Sequence, residues 1–203
     1  DAPPRAVSLQ LDLSSSLRFH DNLGLDTPTA GSTLRSDTRL AFGLLSETRT
    51  QRLALNVAGT LRAGRTPGGG SDLGLVSPSL GLSYDREGAR ARFTFDGTLS
   101  RTEVQGTAVS FDPTLGSLSL ISDDGQRTNY SLGSTLQLGT AGPFGVTLEL
   151  GARGTHFSGT SDPGLFDTRT YSGAVATSLA FSRVTTGTAR LSYARFEAED
   201  APR

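Results

Sequence analysis

The segment from Val7 to His20 reads VSLQLDLSSSLRFH, and it decides the fold class of this chain. Apolar side chains occupy every second position from Val7 to Leu13 and again at Leu17 and Phe19, with polar side chains between them. Because successive side chains of a β-strand point to opposite faces, the segment has one apolar face and one polar face. It is longer than the usual strand of about 5–6 residues and exceeds the about 9–11 residues that cross a bilayer at a tilt.

The same alternation recurs along the chain and predicts one β domain over residues 1–203. Connections after the first, third, fifth and seventh strands are long and rich in Gly, Pro and Asp, whereas the others are short. In an up-and-down sheet, all the long loops therefore lie at one end. Within the long connection after the fifth strand, residues near 104–111 and 118–121 are expected to form a small hairpin beyond the sheet. The nine predicted strands span about 6–20, 34–45, 52–63, 75–85, 89–101, 128–139, 144–155, 169–181 and 188–196.

Composition excludes several classes of protein and site. The absence of Cys excludes a disulfide framework, a thiolate metal site and a Cys nucleophile. A net charge of −1, with Arg residues scattered along strands, argues against nucleic-acid binding. No phosphate loop, dinucleotide fingerprint or metal-ligand spacing is present, so we expect no cofactor and no metal.

Aromatic residues lie near both ends of the predicted strands. Phe42, Tyr84, Phe144 and Phe181 lie beside the short turns, and Phe19, Tyr130, Phe157 and Tyr171 lie beside the long loops. Two such rings match the two interfaces of a bilayer. With its amphipathic strands and alternating loop lengths, the chain resembles Gram-negative outer-membrane β-barrel proteins.

The resemblance implies an all-β, antiparallel, up-and-down transmembrane β-barrel in the bacterial outer membrane. Its partners would be membrane lipid and lipopolysaccharide, with small anionic solutes in the lumen. Bacterial single-chain barrels have an even number of strands, whereas nine are predicted here. We therefore expect one or more closing strands beyond these nine, in an N-terminal fragment of a larger barrel. A soluble β-sandwich is the alternative fold.

The predicted lumen face is rich in Arg, and it has two interpretations. Rows of Arg favour anions in a water-filled pore, whereas Arg paired with acids would fill a narrow lumen as a structural plug. Val76 is expected on the opposite, outward face together with Leu80 and Leu82. The predicted lumen residues are Arg18, Arg35, Arg39, Arg52, Arg62, Arg90, Arg92, Arg153, Arg190, Asp12, Asp37, Asp96 and Glu149.

The two histidines, His20 and His156, lie near the long-loop end, and Ser158 follows His156 closely. A Ser–His–acid site needs side chains that converge, which spacing alone does not establish, so no catalytic residue is predicted. The favoured function is a porin-like or structural outer-membrane protein that is not an enzyme. The alternatives are a surface adhesion protein that displays the 102–127 loop, and an outer-membrane hydrolase centred on His20 or His156.

Overall fold

The computed structural model describes residues 6–21, 31–65, 71–112, 117–160 and 165–199. These residues form strands and connections without a helix. The strands are β1 (Ala6–His20), β2 (Thr33–Glu47), β3 (Gln51–Arg65), β4 (Ser71–Glu87), β5 (Ala91–Asp112), β6 (Ser117–Leu138), β7 (Phe144–Ser158), β8 (Thr168–Ala180) and β9 (Thr186–Ala198).

All nine strands belong to one sheet, in which each strand pairs antiparallel with the next along the chain. The connections at one end are tight, with three residues after β2 and β4 and five after β6 and β8. Antiparallel neighbours can be joined by such short hairpin turns, and this favours a meander. The expected all-β, antiparallel, up-and-down architecture is confirmed.

Local hydrogen bonds and one glycine fix the tight turns. After β2, the Thr48 hydroxyl accepts a bond from the Gln51 N–H at 3.1 Å, while the Thr48 N–H donates to the Gln51 carbonyl at 2.8 Å. After β6, Gly139 has a φ of +74°. A Cβ at Gly139 would collide with the carbonyl oxygen of Phe144, so this turn requires glycine.

The cross-strand register defines two faces of the sheet. Residues paired directly across antiparallel strands share a face, and the pairs Leu9–Leu44, Leu44–Leu55 and Leu55–Leu82 run across one of them. We call this the apolar face. The opposite face carries the Arg and acidic residues described below, and we call it the polar face.

The segment between the fifth and sixth strands differs from the prediction of a separate small hairpin. β5 and β6 each have 22 residues and stay paired in one register from Ala91↔Leu138 to Asp112↔Ser117. The segment 102–127 is therefore mostly a continuation of the two main strands. Its Ser, Gly and Asp content suggested a loop, but ladder hydrogen bonds to the neighbouring strand override this weak local preference.

A β-bulge in β4 corrects the predicted face of Val76. The register of β3 against β4 shifts between Ala58 and Thr60, and Ser77 has a φ of +51°. One extra residue reverses the face of every side chain beyond it. Val76 therefore pairs with Thr60 on the polar face, where it is 8% exposed.

The sheet has no conventional core. Among the described side chains, Val76 is the buried apolar one and Thr33 the buried polar one. The apolar side chains of β1 remain 63–71% exposed, because this strand contacts β2 alone within the described structure. At the other edge, β9 contacts β8 alone. The fold thus leaves a continuous apolar surface and two strand edges without partners in this part of the chain.

Candidate functional site

The residues predicted for the lumen share the polar face. In the register, Asp12 pairs with Ala41, Arg52 with Glu47, and Arg153 with Ser131, all on the side opposite the leucines. Arg90 lies in the turn before β5 rather than in a strand. The lining of a lumen by this face stays a prediction, and the structure establishes the common face.

A network of charges connects three strands near the end of the polar face where β2 begins. The Asp37 carboxylate accepts bonds at 3.0 Å from the Nε atoms of both Arg35 and Arg62. Arg62 also donates from Nη1 to Glu103 at 2.9 Å and so links β3 to β5 across β4. Unlike Asp37 and Arg62, Glu103 lies on the same face of β5 as Leu99. The Asp37 side chain is only 15% exposed, so the two guanidinium groups replace the water that a shielded carboxylate loses.

Two further ion pairs lie nearer the tight turns. Arg92 donates to Asp85 from Nε at 3.0 Å and from Nη2 at 2.8 Å. Arg190 of β9 donates through both terminal nitrogens to the two oxygens of Glu149 on β7, at 3.0 and 2.6 Å. This bidentate pair passes over β8, where the residues paired with Glu149 and Arg190 are alanines and leave room for it.

Small side chains predominate in the middle of the polar face. One cross-strand row runs from Gly43 through Asn56 to Gly81, and a Cβ added at Gly81 would have its nearest neighbour at 4.0 Å. A second row runs from Ser83 through Asp96 to Gly133, and Gly133 faces open space. The polar face is therefore recessed in the middle, where Asp96 contributes one carboxylate.

Some of the predicted arginines fit a structural plug, and the others fit the wall of an anion pore. Arg35, Arg62, Arg92 and Arg190 are paired with acids, as a structural role requires. The remaining predicted arginines form no ion pair with another described residue and keep their charge available to solutes; these are Arg18, Arg39, Arg52, Arg90 and Arg153. Asp85 and Glu103 were not predicted as partners, because the sequence places Asp85 at the start of a turn and Glu103 in the predicted 102–127 loop.

The predicted interface aromatics within strands lie on the apolar face, with one exception. Phe157 pairs with Arg127 on the polar face, because His156 and Ser158 on either side of it occupy the apolar face. Phe19 pairs with Leu34, Tyr130 with Leu99, and Phe144 with Leu179. Phe42, Tyr84 and Tyr171 share that face, and Phe181 directly follows β8. Tyr84 contacts Phe93 at a ring-centroid distance of 6.2 Å, which is within the range of favourable aromatic pairs.

A histidine–aspartate pair lies at the end of β7, on the apolar face. The Nδ1 atom of His156 forms a short hydrogen bond with Asp167 Oδ2, and the Phe157 N–H donates to Asp167 Oδ1 at 2.7 Å. Burial raises the pKa of Asp167, but the bonds from Phe157 and His156 outweigh burial and hold this pKa below its ordinary value. The His156 side chain is 57% exposed, which leaves Nε2 accessible.

Ser158 lies two residues beyond His156, so the two side chains share a strand face. His20 is on the polar face of β1, and β1 does not contact β7 within the described structure, so the two histidines do not form one site. Asp167 was not predicted from the sequence, because it lies in the connection before β8. Its Asp-Pro-Gly-rich surroundings indicate a turn rather than a ligand of His156.

No protein-family model matches the chain, and searches of curated proteins and of solved structures found no significant match. In the described ranges, no three His, Asp or Glu side chains converge so as to hold a metal ion. The same ranges contain no helix that is long and apolar enough to cross a membrane.

Proposed function

We propose that this chain forms the lipid-facing wall of an outer-membrane β-barrel with a porin-like or structural role. The observation that carries the proposal is the exposure of the apolar face, on which Leu9, Leu150 and Leu191 are 66–78% exposed. Contiguous exposed apolar surface larger than a few hundred Å² is rare on soluble monomers. Hydrocarbon would cover this surface, and the opposite, polar face would contact water.

The test uses the absence of Trp from the chain, which makes one introduced Trp a unique reporter. Leu148→Trp places the indole on the apolar face, and Thr147→Trp places it on the polar face one residue away. In vesicles that contain brominated lipids, we expect strong fluorescence quenching for Leu148→Trp and weak quenching for Thr147→Trp. Equal quenching of the two variants would overturn the proposal.

The chemistry of the polar face favours weak selectivity for anions if the lumen is open. Among the predicted lumen residues, arginines without an ion pair to a described residue, such as Arg39 and Arg153, outnumber the acids without one, Asp12 and Asp96, and this leaves net positive charge on the face. Planar-bilayer recording checks the porin-like role, and Arg39→Gln is expected to reduce the anion preference. If the correctly inserted protein conducts no current, the porin-like role is excluded and only the structural role remains.

The continued β5–β6 ladder is the feature that an adhesion role would use. β5 and β6 stay paired with each other past Arg101 and Thr128. In the described structure, β6 residues before Gln126 pair with β5 alone. Replacing residues 104–125 with a tight turn is expected to abolish attachment to a host or bacterial surface and to preserve conductance.

A second candidate function, ester hydrolysis at the membrane surface, is favoured by the His156–Asp167 pair. A carboxylate bound to Nδ1 fixes the imidazole so that Nε2 can take a proton from a serine hydroxyl. Ser158 Oγ would attack the ester carbonyl while its proton moves to His156 Nε2. The proton then leaves with the alcohol, and water hydrolyses the acyl-serine to release the acid.

The test is hydrolysis of p-nitrophenyl dodecanoate by the folded protein in neutral detergent. Ser158→Ala and His156→Ala are each expected to abolish hydrolysis, whereas His20→Ala serves as the matched histidine control. Wild-type protein that releases no nitrophenol, or activity that survives Ser158→Ala, would exclude this second function.

A further inference from the structure

The β-bulge in β4 opens the sheet between two neighbouring strands. The β4–β5 ladder ends at the pair Ser79↔Ser100, although β4 continues to Ser71 against β3 and β5 continues to Asp112 against β6. Pro78 lies at the bulge and has no N–H to donate to a ladder. The residues of β4 before Ser79 therefore have no partner on β5.

An apolar groove of about 730 Å³ lies beside this gap, on the apolar face. Its volume is within the range of roughly 300–1,000 Å³ that is typical of ligand sites. Gly59 forms part of its floor, and a Cβ added there would lie 3.0 Å from Leu75 Cδ1. The apolar lining includes Leu40, Leu61, Leu75, Pro78, Leu80 and Leu99.

A single arginine lies at the rim of the groove. Arg101 follows Leu99 on the same face of β5 and forms no ion pair with another described residue. In the register it pairs with Thr128, which in turn pairs with His156. The rim thus continues as a polar row along the end of the apolar face, where the aromatic residue Tyr130 also lies.

We propose that the groove binds the acyl chain of an anionic membrane lipid whose head group contacts Arg101. The inference rests on the proposed function, because it places the apolar face in the bilayer. Charge complementarity favours an anionic lipid, because a lipid without a negative charge would leave the Arg101 guanidinium without a partner beside an apolar surface. At the gap, the Arg62–Glu103 ion pair links the polar face of β3 to a β5 residue that the register places on the same face as Arg101.

The experiment uses a hexadecyl phosphate that carries a photoreactive diazirine on its chain, diluted into phosphatidylcholine nanodiscs that contain the full chain. We expect saturable cross-linking that maps to β3, β4 and β5. Arg101→Gln is expected to weaken binding of the phosphate about tenfold, as for loss of one hydrogen bond to a charged group. Binding of the matched hexadecanol probe should not change.

Gly59→Phe fills the groove and is expected to reduce cross-linking of both probes. Gly173→Phe and Arg86→Gln are the matched controls, because both residues lie on the apolar face away from the groove. A protein that inserts but is labelled uniformly around the apolar face would overturn the lipid site and leave the proposed function standing. A cross-linked dimer through the groove would also overturn it, and failure to insert would overturn both proposals.

Discussion

Replacing Leu148 with Arg tests the central physical claim, which is that the apolar face contacts hydrocarbon. Leu148 lies on β7 between Leu136 of β6 and Val175 of β8, and its side chain is 37% exposed. It is four residues from the interface aromatic Phe144, about 13 Å along a strand that rises about 3.3 Å per residue. At a tilt of about 40°, the depth below Phe144 is about 10 Å, close to the centre of an apolar band about 25 Å tall.

An Arg at the centre of such a band destabilises a folded barrel by about 2–4 kcal/mol. Thr147→Arg is the matched control, because Thr147 lies at nearly the same depth on the polar face, in line with Gln137 and Ala176. The guanidinium of that variant can remain hydrated, so no penalty for entering hydrocarbon applies. We therefore expect the two variants to differ by at least about 2 kcal/mol in the free energy of unfolding.

Equilibrium unfolding in urea, with the protein folded into phosphatidylcholine vesicles, measures both free energies. The slope of the unfolding free energy against urea should stay constant, so that a change in midpoint reports stability alone. If Leu148→Arg destabilises by less than about 0.5 kcal/mol, the apolar face is not in hydrocarbon, because surface substitutions commonly have effects of that size. The same conclusion follows if Thr147→Arg is the more destabilising variant.

Three further predictions concern a turn, a pH dependence and the sheet edges. In urea unfolding, Gly139→Ala is expected to destabilise the protein by more than about 1–2 kcal/mol, because Gly139 has a left-handed backbone and its Cβ would collide with Phe144. Gly142→Ala in the same turn is the control and should be almost neutral. Because the pKa of Asp167 is lowered, its stabilising bonds are fully present above the ordinary value of 3.8 and are lost as pH falls through the lowered value. In urea, the stability difference between wild type and Asp167→Asn should therefore start to shrink below pH 3.8 and disappear only below the lowered pKa. Amide hydrogen exchange in vesicles should be uniformly slow along β1 and β9, because edge N–H groups cannot remain unpaired in hydrocarbon, and fast exchange at alternate residues of these strands would contradict their insertion in the bilayer.

The sequence predicted the number of strands and, for almost every strand, which side chains lie on the apolar face. This was possible because alternation with a period of two is a local signal. The prediction failed at Val76, since the adjacent Leu75 and Val76 fit either face and one inserted residue reverses the pattern. Pro78 within the strand was the available signal of a bulge. Asp167 was not predictable in the same way, because its contact with His156 depends on how the connection between β7 and β8 returns to the sheet.

Strand direction limits how this sheet can close under the proposed function. Eight antiparallel steps separate β1 from β9, so the two edge strands point the same way and would pair parallel. In a second copy with the same orientation in the membrane, β1 would also run parallel to β9 of the first copy. Association of such copies around an axis normal to the membrane therefore does not create an antiparallel pair. Edge N–H and C=O groups cannot remain unpaired in hydrocarbon. An all-antiparallel barrel built on this sheet therefore needs an odd number of further strands between β9 and β1, which agrees with the even total of bacterial barrels.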